Sequence, residues 1–127
     1  MNSKEEKLAR LLETISNGNH EEIMKLVKES KLHRDVELAL IKRGNTLEIK
    51  GYIEWCFLSD IAEVELVKRG KSDEIRAYIV QNRLSDIAQI SLVILGNESE
   101  IDYYDKNNGF TDEAKNLLSR IKKAQGL

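Results

Sequence analysis

The sequence predicts an all-α protein made of stacked units of two short helices. Four glycines recur at a step of 26 residues: Gly18, Gly44, Gly70 and Gly96. Apolar columns keep the same step, and one of them is Ile23, Ile49, Ile75 and Ile101. The chain contains no proline, as expected for one that is nearly all helix. A fixed period over most of a chain indicates an array in which each unit buries its apolar face against its neighbours.

The first helix of each unit is predicted to end at the recurring glycine. Glycine has no Cβ, so we expect it to cap the helix in the left-handed conformation. In the second unit the apolar positions of this helix spread over more than half of the helical wheel, at Val36, Leu38, Leu40 and Ile41. A helix that is apolar most of the way round is enclosed on several sides, so we assign it to the inside of the array.

The second helix of each unit starts directly after the glycine. Asparagine follows three of the glycines, and glutamate comes three residues later in the pairs Asn19 and Glu22, Asn45 and Glu48, and Asn97 and Glu100. This spacing predicts capping boxes. The third unit has Lys71 in place of asparagine, and we expect Ser72 to take over its cap. The column of Tyr52, Tyr78 and Tyr104 lies on the apolar stripe and is expected in the core.

The repeat divides the chain into four units and a tail: 7–32, 33–58, 59–84, 85–110 and 111–127. The chain has 127 residues, the length of one domain, and we therefore predict a single domain over 1–127. The layout resembles the α-solenoid class, of which HEAT and tetratricopeptide arrays are examples. That resemblance implies a right-handed α-solenoid of four two-helix repeats of about 26 residues. It implies no site residues, because the unit is shorter than in either example.

Leucine-rich repeats are the alternative architecture, since their period also spans 26 residues. Alternating pairs such as Leu38 and Leu40, or Val64 and Leu66, would form a short strand in such a protein. The asparagine that leucine-rich repeats place soon after this alternation is missing, and we therefore favour the two-helix unit.

The tail is predicted to be a C-terminal capping helix. Its apolar residues share one face: Ala114, Leu117, Leu118 and Ile121. We expect Thr111 or Asp112 to cap this helix, and we expect the helix to fold over Ile94 and Leu95. The alternative is that Ile94 and Leu95 stay exposed and pair two copies of the chain. We therefore expect either a monomer or a weak homodimer.

Composition argues against several functional classes. A net charge of −2 with 33% charged residues gives no overall bias toward nucleic acid or membranes. The single cysteine, Cys56, and the absence of an apolar signal segment lead us to expect a cytoplasmic protein. His20 and His33 occupy non-equivalent positions, and the sequence has no phosphate loop, nucleophile elbow or HExxH motif. We expect no metal, no cofactor and no enzymatic activity.

The favoured function is a protein-binding module that presents a groove lined by the second helices. In such a scaffold the core columns recur while the contact positions vary, and the candidate contacts are Lys50, Glu54, Trp55, Arg76, Val80 and Tyr103. Trp55 and Phe57 stand out because the other units are polar there, as in Gln81 and Arg83. Exposed aromatic residues of this kind mark protein contacts.

The alternative function is binding of nucleic acid or another polyanion. Two identical basic pairs lie one unit apart and would form a short basic ridge: Lys42, Arg43, Lys68 and Arg69. Such a ridge predicts an affinity that falls steeply with salt. The same pairs also suit the negative ends of their helix dipoles. In that case they are ordinary solvated residues, neutralised by nearby glutamates: Glu37, Glu48, Glu63, Glu65 and Glu74.

Overall fold

The chain is all-helical in the computed structural model, which describes residues 3–29 and 31–126 and contains no strand within them. Nine helices occupy these residues: α1 (Ser3–Asn17), α2 (His20–Glu29), α3 (Arg34–Arg43), α4 (Thr46–Ile53), α5 (Asp60–Arg69), α6 (Ser72–Ile79), α7 (Asp86–Leu95), α8 (Glu98–Asn107) and α9 (Asp112–Ala124). Met1, Asn2, Ser30 and Leu127 belong to the predicted domain but lie outside the described residues. The all-α prediction is confirmed, and the strand required by a leucine-rich repeat is absent from the described residues.

The helices pack in two rows that follow the chain. α3 packs between α1 and α5, and α7 packs between α5 and α9. In the other row, α4 packs between α2 and α6, and α6 packs against α8. Each odd-numbered helix up to α7 also contacts the even-numbered helix that follows it. Every helix therefore meets the equivalent helix of the adjacent sequence unit.

The core lies between the two rows and consists of the recurring sequence columns. Ile49 and Ile75 are buried, and Tyr52, Tyr78 and Tyr104 have no exposed surface. The prediction that the tyrosine column belongs to the core is confirmed. At about 25 cal/mol per Å² of buried apolar area, these columns supply the main free energy that holds each unit to the next.

The glycines end their helices in two different ways. Gly70 is left-handed with φ 71°, as predicted, whereas Gly44 and Gly96 are extended with φ −68° and −72°. The expectation of a left-handed cap is wrong for these two. The Gly44 N–H donates to the Leu40 carbonyl, and glycine is needed at this close approach because a Cβ on Gly44 would lie 2.7 Å from the Leu40 oxygen.

The caps of the even helices agree with the sequence except in the third unit. Asn45 and Glu48 form the complete capping box of α4, and Asn97 accepts from the Glu100 N–H. In α6 the N-cap is Lys71, whose side chain makes no capping hydrogen bond. The expectation that Ser72 takes over this cap is wrong, because its hydroxyl donates to Glu100 on α8 instead.

The C-terminal helix α9 continues the odd row and does not fold across it. Its N-cap is Thr111, which continues the 26-residue column of the N-caps Ser59 and Ser85. α9 therefore packs beside α7 as α7 packs beside α5. The expectation that it covers Ile94 and Leu95 is wrong, since these side chains are 58% and 54% exposed.

Candidate functional site

A buried column of acceptor side chains links successive units on the first helices. Its members are Glu37, Glu63 and Gln89, each 26 residues after the previous one and each at most 4% exposed. Together with the three core tyrosines they form what we call the tyrosine ladder. Buried polar groups of this kind are costly unless every one is hydrogen-bonded.

In the second unit the tyrosine ladder joins three consecutive units. The Tyr52 hydroxyl donates to Glu37 Oε2 at 2.6 Å and accepts from the Leu32 N–H at 3.1 Å. Glu37 Oε1 accepts from the Ser59 N–H at 2.9 Å, at the start of the next unit. In the third unit the Tyr78 hydroxyl donates to Glu63 Oε2 at 2.5 Å and accepts from the Leu58 N–H at 2.9 Å. Glu63 Oε1 accepts from the Ser85 N–H at 2.8 Å. Burial, reinforced by the carboxylate partners, raises the pKa values of Tyr52 and Tyr78 above their ordinary range.

A second buried column, the glutamate ladder, links the N-termini of the even helices. It consists of Glu48, Glu74 and Glu100. Each accepts from the first residue of the preceding even helix: Glu48 contacts His20 Nδ1 at 2.7 Å, Thr46 donates to Glu74 at 2.6 Å, and Ser72 donates to Glu100. The buried carboxylates of both ladders thus hold units together. Within the described residues no three His, Cys, Asp or Glu side chains are arranged to bind a metal ion.

Trp55 is half-exposed and yet held in place. Its indole Nε1 donates to the Val27 carbonyl of the preceding even helix at 3.0 Å, and 48% of the residue faces solvent. Its ring forms a T-shaped pair with the buried Tyr52 ring, with 6.1 Å between the centroids. One polar anchor and one aromatic contact fix the ring, which leaves the remainder of its surface available to a partner.

Two further exposed apolar residues, Phe57 and Val80, lie just beyond the C-termini of α4 and α6. Phe57 is 69% exposed and Val80 is 59% exposed. The Lys31 side chain donates to the Phe57 carbonyl, and its ammonium lies 4.9 Å from the Phe57 ring centroid. Phe57 lines two clefts, of about 110 and 580 Å³, and Gln81 lines both of them. We call Trp55, Phe57 and Val80 the aromatic edge.

The remaining predicted contacts lie on or beside the even helices. Glu54 is exposed at the C-terminus of α4, and Lys50 is half-buried one turn earlier. Arg76 and Tyr103 are brought together, because the guanidinium lies 4.4 Å from the Tyr103 ring centroid. Arg76 also donates to Ser99 Oγ at 2.6 Å, so that it joins α6 to α8. These two side chains already serve an internal contact, whereas Glu54 is free to meet a partner.

The basic ridge is partly occupied by internal contacts. Arg69 Nε donates to the buried Glu74 at 2.7 Å, and Arg43 donates to the Ser16 hydroxyl. The exposed Lys68 ammonium lies 3.8 Å from the half-buried Glu65 carboxylate, a surface pair that contributes little to stability. Lys42 is exposed and makes no ion pair within the described part of the chain. The two lysines, more than the arginines, are available to an anion.

Sequence reasoning did not include Phe57 among the contacts, although it is the most exposed large apolar residue within the described part of the chain. The signal was present, since its column holds Lys31 and Arg83 in the neighbouring units. Comparison with known proteins adds no further residues, because no family model, curated protein or solved structure matches this chain. Among the described residues, no helix combines the length and the apolar content that crossing a bilayer requires.

Proposed function

We propose that this protein is a non-enzymatic protein-binding module built as a right-handed α-solenoid of four two-helix units closed by α9. Support for this architecture comes from the pairing of equivalent helices and from hydrogen bonds that recur at the sequence period. The single thiol, Cys56, is buried, and burial raises its pKa, which suits an inert core residue in a reducing cytoplasm.

The aromatic edge is the proposed binding surface, with Glu54 at its margin. The observation that carries the proposal is Trp55, which is anchored to Val27 and still half-exposed. An aromatic side chain held before binding loses little conformational entropy when a partner arrives. Tryptophan is also enriched among the few residues that supply most of the binding energy at protein interfaces. Lys50, Arg76 and Tyr103 flank this surface on the even row as secondary contacts.

A matched pair of variants tests the site. W55Q/F57R introduces the side-chain types that the next unit carries at the same columns, Gln81 and Arg83, so the fold should tolerate it. L47S is the control: Leu47 is 65% exposed at the opposite end of α4, and the equivalent residue of the fourth unit is Ser99. Each tagged protein is used to capture partners from the lysate of its native host.

We expect a discrete protein to be retained by the wild type and by L47S, and to be lost with W55Q/F57R. Loss of two central interface residues costs roughly 2 kcal/mol or more, about a 30-fold loss of affinity. Equal retention by all three proteins would contradict the proposed site, provided that circular dichroism shows the variants to be folded.

Polyanion binding is the alternative proposal. It is favoured by Lys42, which is exposed and makes no ion pair within the described part of the chain. Lys42, Arg43, Lys68 and Arg69 would have to act together, although the two arginines already bond Ser16 and Glu74. Filter binding to single-stranded RNA between about 50 and 200 mM salt would show a steep loss of affinity if the ridge is used. A K42E/K68E variant that binds equally well would remove this alternative.

A further inference from the structure

The outer face of α7 is apolar and uncovered. Ile87, Ile94 and Leu95 are each more than half exposed, and Ile87 and Ile94 are seven residues apart on the same side of the helix. No charged residue occurs from Ile87 to Leu95. We call these three residues the α7 face, which shares no residue with the aromatic edge.

Two other helices of the odd row, α3 and α9, carry opposite charges near their two ends. The second and ninth residues of each helix are Asp35 and Lys42 on α3, Ile61 and Lys68 on α5, Ile87 and Ile94 on α7, and Glu113 and Arg120 on α9. All of these side chains are exposed. Glu113 and Arg120 make no ion pair within the described residues. At these positions α3 and α9 are acidic near the N-terminus and basic near the C-terminus, α5 is apolar and then basic, and α7 is apolar at both ends.

We propose that a second copy of this chain covers the α7 face, related by a two-fold axis that crosses α7 near Ser91. Each odd helix then runs antiparallel to its own copy, so its second residue lies opposite the ninth residue of the other chain. Ile87 meets Ile94, and Glu113 meets Arg120, in each case twice by symmetry. On α3, Asp35 meets Lys42 where the rows extend far enough to touch.

Self-complementarity favours a second copy over an unrelated protein. Across the two-fold axis the apolar residues meet each other, and the carboxylates of α9 meet guanidinium groups. On α5, the aliphatic stem of Lys68 covers Ile61. This contact between Ile61 and Lys68 is the only one that joins an apolar residue to a charged one, and it places no like charges together.

The α7 face is small for a protein–protein interface, which favours weak and reversible pairing. Helices of about 15 Å spaced about 9 Å apart give α5, α7 and α9 a footprint of roughly 400 Å². Stable complexes bury about 800 Å² on each partner. We therefore expect a reversible dimer with a dissociation constant on the order of 10 to 100 μM.

Sedimentation equilibrium of the purified full chain between about 1 μM and 1 mM tests the pairing directly. We expect a monomer–dimer equilibrium. A protein that stays monomeric across this range would overturn the proposal.

A variant that copies the neighbouring units tests the face. I94K/L95R introduces at the α7 columns the pair that occupies them as Lys68 and Arg69 on α5, so it should fold. We expect dimerisation to weaken at least about 100-fold, because both copies lose apolar contacts. Ile87→Asp, which copies Asp35, is the second variant should the first fail to fold. Unchanged dimerisation in a folded variant would overturn the proposal.

Charge exchange on α9 tests the antiparallel arrangement. E113R leaves only cations at the α9 contact and R120E leaves only carboxylates, so each variant alone should dimerise about 10-fold more weakly. An equal mixture should form mixed dimers, and the double variant E113R/R120E should recover wild-type pairing. Failure of both recoveries would overturn the antiparallel arrangement.

The pairing is independent of the proposed partner binding. W55Q/F57R should dimerise like the wild type, and I94K/L95R should still capture the partner. Loss of dimerisation in W55Q/F57R would mean that the α7 face is not the contact.

Discussion

The third and fourth units place different residues at one buried position, Glu63 and Gln89. Both accept a hydrogen bond from the first N–H of the next unit, Ser85 or Thr111, at 2.8 Å. The second polar atom of each side chain makes a different hydrogen bond. Glu63 accepts the Tyr78 hydroxyl, whereas the Gln89 amide donates to the Leu84 carbonyl at 3.0 Å.

This difference separates the part of the tyrosine ladder that is required from the part that varies. The second, third and fourth units each supply an acceptor to the segment that follows, because its first N–H would otherwise be left without a partner. A carboxylate and an amide both meet this need. The tyrosine hydroxyl has a carboxylate partner only where the acceptor residue is glutamate.

Removal of the acceptor is expected to have the largest effect. Glu63→Leu leaves the Tyr78 hydroxyl and the Ser85 N–H without the acceptor, which should lower the free energy of unfolding by about 4 kcal/mol. Glu63→Gln is the matched control and should cost about 1 kcal/mol, because its carbonyl oxygen still accepts from Ser85. Urea denaturation measures both. A Gln variant as unstable as the Leu variant would show that the charge, and not the acceptor, is what matters.

Alkaline pH should weaken the tyrosine ladder in the wild type. Burial raises the folded-state pKa values of Tyr52 and Tyr78, so the unfolded chain loses these protons first. Their stabilisation is complete below the unfolded pKa of about 10 and declines above it, by about 1.4 kcal/mol per pH unit for each tyrosine. The slope of unfolding free energy above pH 10 should be smaller in Y52F/Y78F. Equal slopes would mean that these hydroxyls ionise freely in the folded protein.

Single hydroxyl deletions should distinguish the two units. Tyr78→Phe removes the donor to Glu63 and the acceptor for Leu58 N–H, with an expected cost of about 2 kcal/mol. Tyr104→Phe removes the acceptor for Leu84 N–H but no bond to a carboxylate, and about 1 kcal/mol is expected. Thermal or urea unfolding of the two variants side by side gives the difference. A larger loss for Tyr104→Phe would contradict the assigned roles.

The smallest effect is expected at the glycine of the third unit. Gly70→Asn should cost less than about 0.5 kcal/mol, because asparagine tolerates the left-handed conformation found there. Gly96→Asn in the fourth unit should cost about 2 kcal/mol, since its Cβ would lie 2.5 Å from the Leu92 oxygen. Equal costs would mean that the two glycines end their helices for the same reason.

The period of the sequence was sufficient to predict the helical units and the core. The capping residues, glycines and apolar positions recur in each unit, so each of them supports the same prediction several times. The buried tyrosines, the caps at Asn45 and Asn97, and the helix after Thr111 all followed from spacing alone. The prediction of contacts at the second helices stays untested, although the structure leaves Trp55, Glu54 and Val80 exposed.

Tertiary structure decided what the period could not, because the deciding contacts join residues far apart in the chain. Glu37 and Glu63 were expected only as charges near the basic ridge, since an isolated glutamate is usually solvated. They are buried because Ser59 and Ser85, 22 residues later, supply their donors. Likewise, the exposure of Ile94 and Leu95 depends on α9 packing beside α7, which no local pattern determines.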